Sequence, residues 1–115
     1  MELTAEQEDI RRAVRTFVDR DVLPNVARYD HADEFPQEMF EQMLELGLFG
    51  VTIPEEYGGL GLDILTYVLV VEELSRGWIS LSGIMNTHFM AAWMIENFGT
   101  DDQKHNIVPK MMNGT

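Results

Sequence analysis

Val51-Thr52-Ile53-Pro54-Glu55-Glu56-Tyr57-Gly58-Gly59-Leu60-Gly61-Leu62-Asp63 divides this chain into two kinds of helix. Val51 and Ile53 are β-branched and Pro54 pushes Ile53 out of the helical region, so Val51–Ile53 reads as a short extended piece. Gly58, Gly59 and Gly61 permit positive φ and close backbone approach. They could be mistaken for a phosphate-cradling loop. The lysine of such a loop is missing and no βα unit precedes it, so the reading is a tight turn. Asp63 then opens a new helix as its N-cap.

Working back from this joint, the helices are amphipathic. Thr4 and Gln7 have the spacing of a capping box ahead of a helix from Ala5 to about Val22. Ile10, Val14, Phe17 and Val18 form its apolar face, and Glu8 and Arg12 an i, i+4 pair on the exposed side. Pro24 starts a short helix with Val26, Ala27 and Tyr29. Pro36 starts a third, with Met39, Phe40, Met43 and Leu44 as its stripe and Gly47 as its left-handed stop.

Working forward, the pattern changes. Ile64, Leu65, Val68, Leu69, Val70, Val71 and Leu74 leave almost no polar face on the fourth helix, which Gly77 ends. The fifth, from Ser80 to Asn97, is nearly as apolar, and Gly99 ends it. Helices of this kind are buried on several sides. Thr100 and Gln103 box the start of a sixth helix, and Pro109 is expected to break it after Val108. With no alternating strands, the fold is all-α: a bundle of about six helices with two central buried ones.

Length and composition narrow the function. A chain of 115 residues is one domain, and 45% hydrophobic residues supply a core. A net charge of −12 argues against nucleic acid as a partner. No apolar run reaches the ~20 residues of a membrane span. There is no cysteine, and the acidic N-terminus does not read as a signal peptide. The Asn113-Gly114-Thr115 sequon is then accidental. His31, His88 and His105 lack metal-ligand spacing, so no metal site is expected. There is no nucleophile elbow, P-loop or GxGxxG. The one suggestive constellation lies on the fifth helix. Ser82 and Asn86 are one turn apart, and Met90 and Trp93 continue their face. Small polar residues there either satisfy backbone groups in a core or line a cavity with adaptable methionine walls.

The order of five segments decides more than this chemistry does. They are Leu3-Thr4-Ala5-Glu6-Gln7; Phe35-Pro36 with Leu46-Gly47-Leu48-Phe49-Gly50; Ile53-Pro54-Glu55-Glu56-Tyr57-Gly58-Gly59-Leu60-Gly61; Glu72-Glu73-Leu74-Ser75-Arg76-Gly77; and Phe98-Gly99-Thr100-Asp101-Asp102-Gln103-Lys104 followed by Pro109. In this order the chain resembles the N-terminal helical domain of the flavin-dependent acyl-CoA dehydrogenases over essentially its whole length.

The resemblance implies that residues 1–115 belong to a larger enzyme. Its middle β-domain and C-terminal helical bundle would lie outside this stretch, and would carry the flavin-binding strands and the catalytic glutamate. Such enzymes bind FAD, take hydrogens from Cα and Cβ of an acyl-CoA, and commonly pass electrons to an electron-transferring flavoprotein. They are usually homotetramers, in the cytoplasm or the mitochondrial matrix. No catalytic residue is expected here, and Glu72 and Glu73 sit in a segment that the family uses structurally. The resemblance places Ser82, Gly83, Asn86 and Met90 on one wall of the acyl cavity. Bulky Phe89, Met90 and Trp93 point to a short or compact acyl group. The rival readings are a stand-alone helical interaction module, an inactive remnant, and a relative acting on another substrate with the same scaffold.

Overall fold

The computed structural model describes residues 2–114, so Thr115 of the sequon lies outside the described residues. The chain forms α1 (Ala5–Phe17) running into a π-helical turn at Val18–Val22, α2 (Val26–Ala32), α3 (Gln37–Glu45), short 3₁₀ turns at Leu48–Gly50 and Glu55–Tyr57, α4 (Ile64–Gly77), α5 (Ile79–Phe98) and α6 (Asp101–Met111). No strand occurs among the described residues, as the sequence predicts. Packing runs α1 on α4, α4 on α5 and α5 on α6, in a flattened body of 42 × 37 × 19 Å.

Local chemistry sets the helix starts. Thr4 and Gln7 form the expected capping box, and so do Thr100 and Gln103. Gln7 does more: its buried side chain also donates to Thr66 Oγ1 at 3.4 Å, and Thr66 in turn donates to Asp63, the N-cap of α4. The caps of α1 and α4 are thereby tied together. These donors hold the Asp63 carboxyl below its usual range. Val14, Phe17 and Val18 are buried on the α1 face, and Met39 and Met43 on that of α3. The expected Glu8–Arg12 pair is replaced by two i, i+3 pairs, Glu8–Arg11 at 3.0 Å and Asp9–Arg12 at 3.1 Å, because Asp9 lies nearer to Arg12.

The joint between the two kinds of helix differs from its reading. Val51 is helical (φ −50°, ψ −51°), not extended, and Val51–Ile53 is a turn. Burial overrides the β-branched preference, since Val51 and Ile53 both lie in the core. The chain then doubles back: Leu60 N–H donates to the Gly50 carbonyl, Leu62 N–H to Val51 and Gly61 N–H to Ile53, all at 2.8–2.9 Å. Gly58 (φ 94°) and Gly61 (φ 62°) take the left-handed conformations that this reversal needs.

One further expectation changes. Pro109 does not break α6, which continues to Met111. The bond it forfeits is to the carbonyl of exposed His105, in the last turn, where water is at hand. Buried Val108 and the half-buried Met111 and Met112 hold that turn against the core. The two apolar helices are central to the bundle, as expected, and each leaves part of its surface uncovered. Leu69, Val70 and Leu74 of α4 and Leu81, Met85, Phe89 and Ala92 of α5 are buried. Ile64, Val68, Ile79, Met90, Trp93, Met94 and Phe98 stand exposed, Phe98 at 78%. A continuous apolar face of this kind marks an interaction surface. Residues 1–115 expressed alone are therefore expected to self-associate. Sedimentation of a stable, monodisperse monomer would contradict this.

Candidate functional site

The exposed face carries a groove of about 370 Å³, lined by Thr52, Ile64, Tyr67, Asn86, Phe89, Met90, Trp93 and Met94. Its α5 members recur at the i, i+3, i+4, i+7 and i+8 spacing of one helix face. Ile64 and Tyr67, one turn apart on α4, form the opposite bank. Tyr67 and Phe89 meet edge to face with ring centroids 5.2 Å apart. An adjoining hollow of about 180 Å³ shares Thr52, Ile64, Phe89 and Trp93 and adds Leu62 and Glu96.

One polar pair stands in this apolar setting. The Tyr67 hydroxyl donates to Asn86 Oδ1 at 3.2 Å, and Asn86 Nδ2 faces Met90 Sδ at 3.8 Å. Burial pushes the Tyr67 phenol up, so it remains a neutral donor, and burial likewise pushes the Glu96 carboxyl up. His88, one residue before Phe89, anchors the floor. Its Nε2 lies 2.7 Å from the Phe49 carbonyl, and because a carbonyl only accepts, Nε2 carries the proton. Burial lowers the imidazole pKa, against the opposing effect of this bond. The contact pins the Leu48–Gly50 turn, and with it Thr52, to α5.

Of the four residues expected on the wall, the structure brings Asn86 and Met90 together at the groove. Ser82 and Gly83 are not among its lining residues. Ser82 is buried, accepts from Ser75 Oγ at 3.0 Å and donates to the Ile79 carbonyl at 2.7 Å, which knits the end of α4 to the first turn of α5. Gly83 is exposed, and a Cβ there would meet nothing within 4 Å. Thr52, Ile64 and Tyr67 join the groove without a signal in their local sequence. Tyr67 and Asn86 are 19 positions apart and meet only through the packing of α4 on α5.

The arrangement can enclose an apolar body and offer it one amide. None of the groove's lining residues is a carboxylate, histidine or lysine, and its one titratable group, the Tyr67 phenol, is held neutral by burial. Nor does the groove fit the pyrophosphate of FAD, because no lysine or arginine lines it. Glu73 is taken up structurally, accepting from Arg15 and Arg76.

Comparison with known proteins gives this geometry its context. Residues 4–115 match the family model described as the acyl-CoA dehydrogenase N-terminal domain. The chain is 42% identical over 113 residues to a (2S)-methylsuccinyl-CoA dehydrogenase of Cereibacter sphaeroides, covering 97% of this chain and 21% of that protein. It is 36% identical over 113 residues to a short-chain specific acyl-CoA dehydrogenase of Clostridium acetobutylicum, covering 97% of this chain and 30% of the relative. A solved glutaryl-coenzyme A dehydrogenase, in complex with glutaryl-CoA, superposes with a TM-score of 0.92 at 35% identity over 99% of this chain and 30% of that one. The chain thus spans between a fifth and a third of the length of these proteins. With the family model matched from Thr4 onward, and the capped helices, the glycine joint and the α4–α5 pair all in place, the chain belongs to the acyl-CoA dehydrogenase family, as its N-terminal domain.

Proposed function

We propose that this domain works within an FAD-dependent acyl-CoA dehydrogenase and that its α4–α5 groove forms one wall of the acyl cavity. The observation that carries the reading is a concave, apolar groove with a single polar pair, lying on the face that the domain leaves uncovered. FAD, held outside this domain, supplies the hydride acceptor, and the CoA phosphates also fall to other parts of the enzyme, since this chain is strongly acidic. In this reading the acyl-CoA is oxidised between Cα and Cβ. Electrons pass to an electron-transferring flavoprotein, and the enzyme is a homo-oligomer of the cytoplasm or the mitochondrial matrix. A stand-alone interaction module is the less favoured reading, because the family match runs through the whole domain.

Met90 is 57% exposed and projects into the groove with Phe89 and Trp93, leaving room for a compact acyl group. The test is steady-state oxidation of butyryl-, hexanoyl- and octanoyl-CoA by the FAD-loaded full-length enzyme with an artificial electron acceptor. Butyryl-CoA is expected to be preferred. Met90→Ala is expected to shift the octanoyl-to-butyryl ratio of kcat/KM upward roughly ten-fold, the order of effect that a few methylenes have in an apolar pocket. Oxidation of the long ester as readily as the short one by the unaltered enzyme would remove the compact-substrate reading. A total lack of acyl-CoA oxidation would remove the enzymatic one.

A further inference from the structure

The Tyr67–Asn86 pair carries a more specific statement about the substrate, one that rests on the acyl-wall reading. An asparagine amide has one acceptor oxygen and two N–H donors. Met90 Sδ, beside the other end of the amide, can only accept, so the N–H₂ group faces the sulfur and Oδ1 takes the Tyr67 hydroxyl at 3.2 Å. The N–H₂ end is then left to Met90 Sδ at 3.8 Å, a weak acceptor that uses at most one of its two donors. Water satisfies this amide while the groove is open, since Asn86 is exposed. When the groove is closed over a ligand, an N–H without an acceptor costs free energy, and beyond Tyr67 and Asn86 themselves only Thr52 on this wall carries a side-chain oxygen. Ile64, Phe89, Met90, Trp93 and Met94 carry no oxygen on their side chains.

The charge around the groove decides what kind of oxygen is wanted. No cation lines it, the adjoining hollow holds the Glu96 carboxyl, and the chain carries a net charge of −12. On this wall an anion would meet apolar and acidic groups and no counter-charge. A neutral carbonyl or hydroxyl oxygen meets the free donor without that penalty. We propose that Asn86, oriented by Tyr67, is a specificity-determining residue that selects a neutral, oxygen-bearing acyl group over its hydrocarbon isostere and over the corresponding carboxylate. The substrate class is an oxo- or hydroxyacyl-CoA. The dicarboxylic acyl groups in the names of two relatives described above are selected against.

Three thioesters of nearly equal shape separate these cases: 5-oxohexanoyl-CoA with a ketone, 5-methylhexanoyl-CoA with an isopropyl group, and glutaryl-CoA with a carboxylate. The full-length FAD-loaded enzyme is expected to favour the ketone over the isopropyl ester by roughly ten-fold in kcat/KM, the value of one hydrogen bond, with the carboxylate last. Asn86→Leu is expected to bring the ketone-to-isopropyl ratio to one or below. Asn86→Asp, which replaces both donors by acceptors, gives an independent variant with the same expected direction. Tyr67→Phe frees the amide to turn and is expected to lower the ratio in part. An enzyme that oxidises the isopropyl ester but shows a ketone ratio near one, or a ratio unmoved by Asn86→Leu and Asn86→Asp, overturns the inference and leaves the acyl-wall reading intact. A preference for glutaryl-CoA overturns it too. Relative rates for all three esters that no substitution at Met90, Trp93 or Asn86 alters would overturn both.

Discussion

Gly59→Ala is expected to destabilise the domain by about 3 kcal/mol or more, a fall in Tm on the order of 15 °C. A Cβ at this position would clash with the Ile53 carbonyl oxygen and lie 2.6 Å from its carbonyl carbon. Neither can retreat freely. The same carbonyl accepts from Gly61 N–H at 2.9 Å, Ile53 is fully buried, and the Gly59 N–H is engaged with Pro54 at 3.1 Å. The added methyl must therefore break part of the backbone reversal that carries the chain from α3 to α4. Gly83→Ala is the matching control. Gly83 lies inside α5, and a methyl added there would have no atom within 4 Å, so helix propensity alone operates and about 0.5–1 kcal/mol of stabilisation is expected. Thermal denaturation of both variants checks the pair. A Gly59→Ala protein that melts with the parent would mean that the loop relaxes cheaply and that its glycines are not what sets its shape.

This joint also shows how far the sequence carries. Both capping boxes, the glycine stop at Gly47, the buried stripes of α1 and α3 and the paired apolar helices are all legible, because each rests on residues within about two turns of one another. The family resemblance is legible for a related reason: its segments are local and ordered. Local propensity misreads Val51 because burial of its side chain and the hydrogen bonds from residues 60–62 together set the backbone there. It misreads Pro109 because packing of Val108 and Met111 outweighs one lost hydrogen bond at a helix end. At the candidate site, periodicity brings out Asn86 and Met90 on one face of α5. It does not bring out Tyr67, whose role needs the crossing of α4 over α5. Ser82 fits either reading of a small polar residue on an apolar helix, and its partner Ser75 lies on the neighbouring helix, out of reach of periodicity.

Glu73 shows the same dependence on distant partners, and it is the source of the second large effect. Its carboxylate is nearly inaccessible, yet both oxygens are engaged. Arg15 of α1 reaches Oε1 at 2.6 Å, and Arg76 reaches Oε2 at 3.1 Å while also holding Asp19 at 2.9 Å. Burial alone would raise the carboxyl pKa, but the bonds from the two guanidinium groups outweigh it and hold the pKa below its ordinary value of 4.5. Glu73→Gln removes the charge and leaves the shape. Both arginines are partly exposed and recover hydration, so the expected loss at pH 7 is about 2 kcal/mol, less than for a pair buried at both ends. The pH dependence separates charge from packing. A depressed folded-state pKa means that the stabilisation is fully present above the unfolded value and is lost as pH falls through the folded value. The gap between the parent and Glu73→Gln should therefore be constant near neutrality and narrow once the pH drops below 4.5. Urea denaturation of both proteins at pH 7 and at successive steps below 4.5 measures it. A gap that stays constant into acid would assign the loss to the amide's poorer packing, and α1 would then be held on α4 by the apolar contacts of Val14, Phe17, Val70 and Leu74 and by the Gln7–Thr66 hydrogen bond, not by the charge of Glu73.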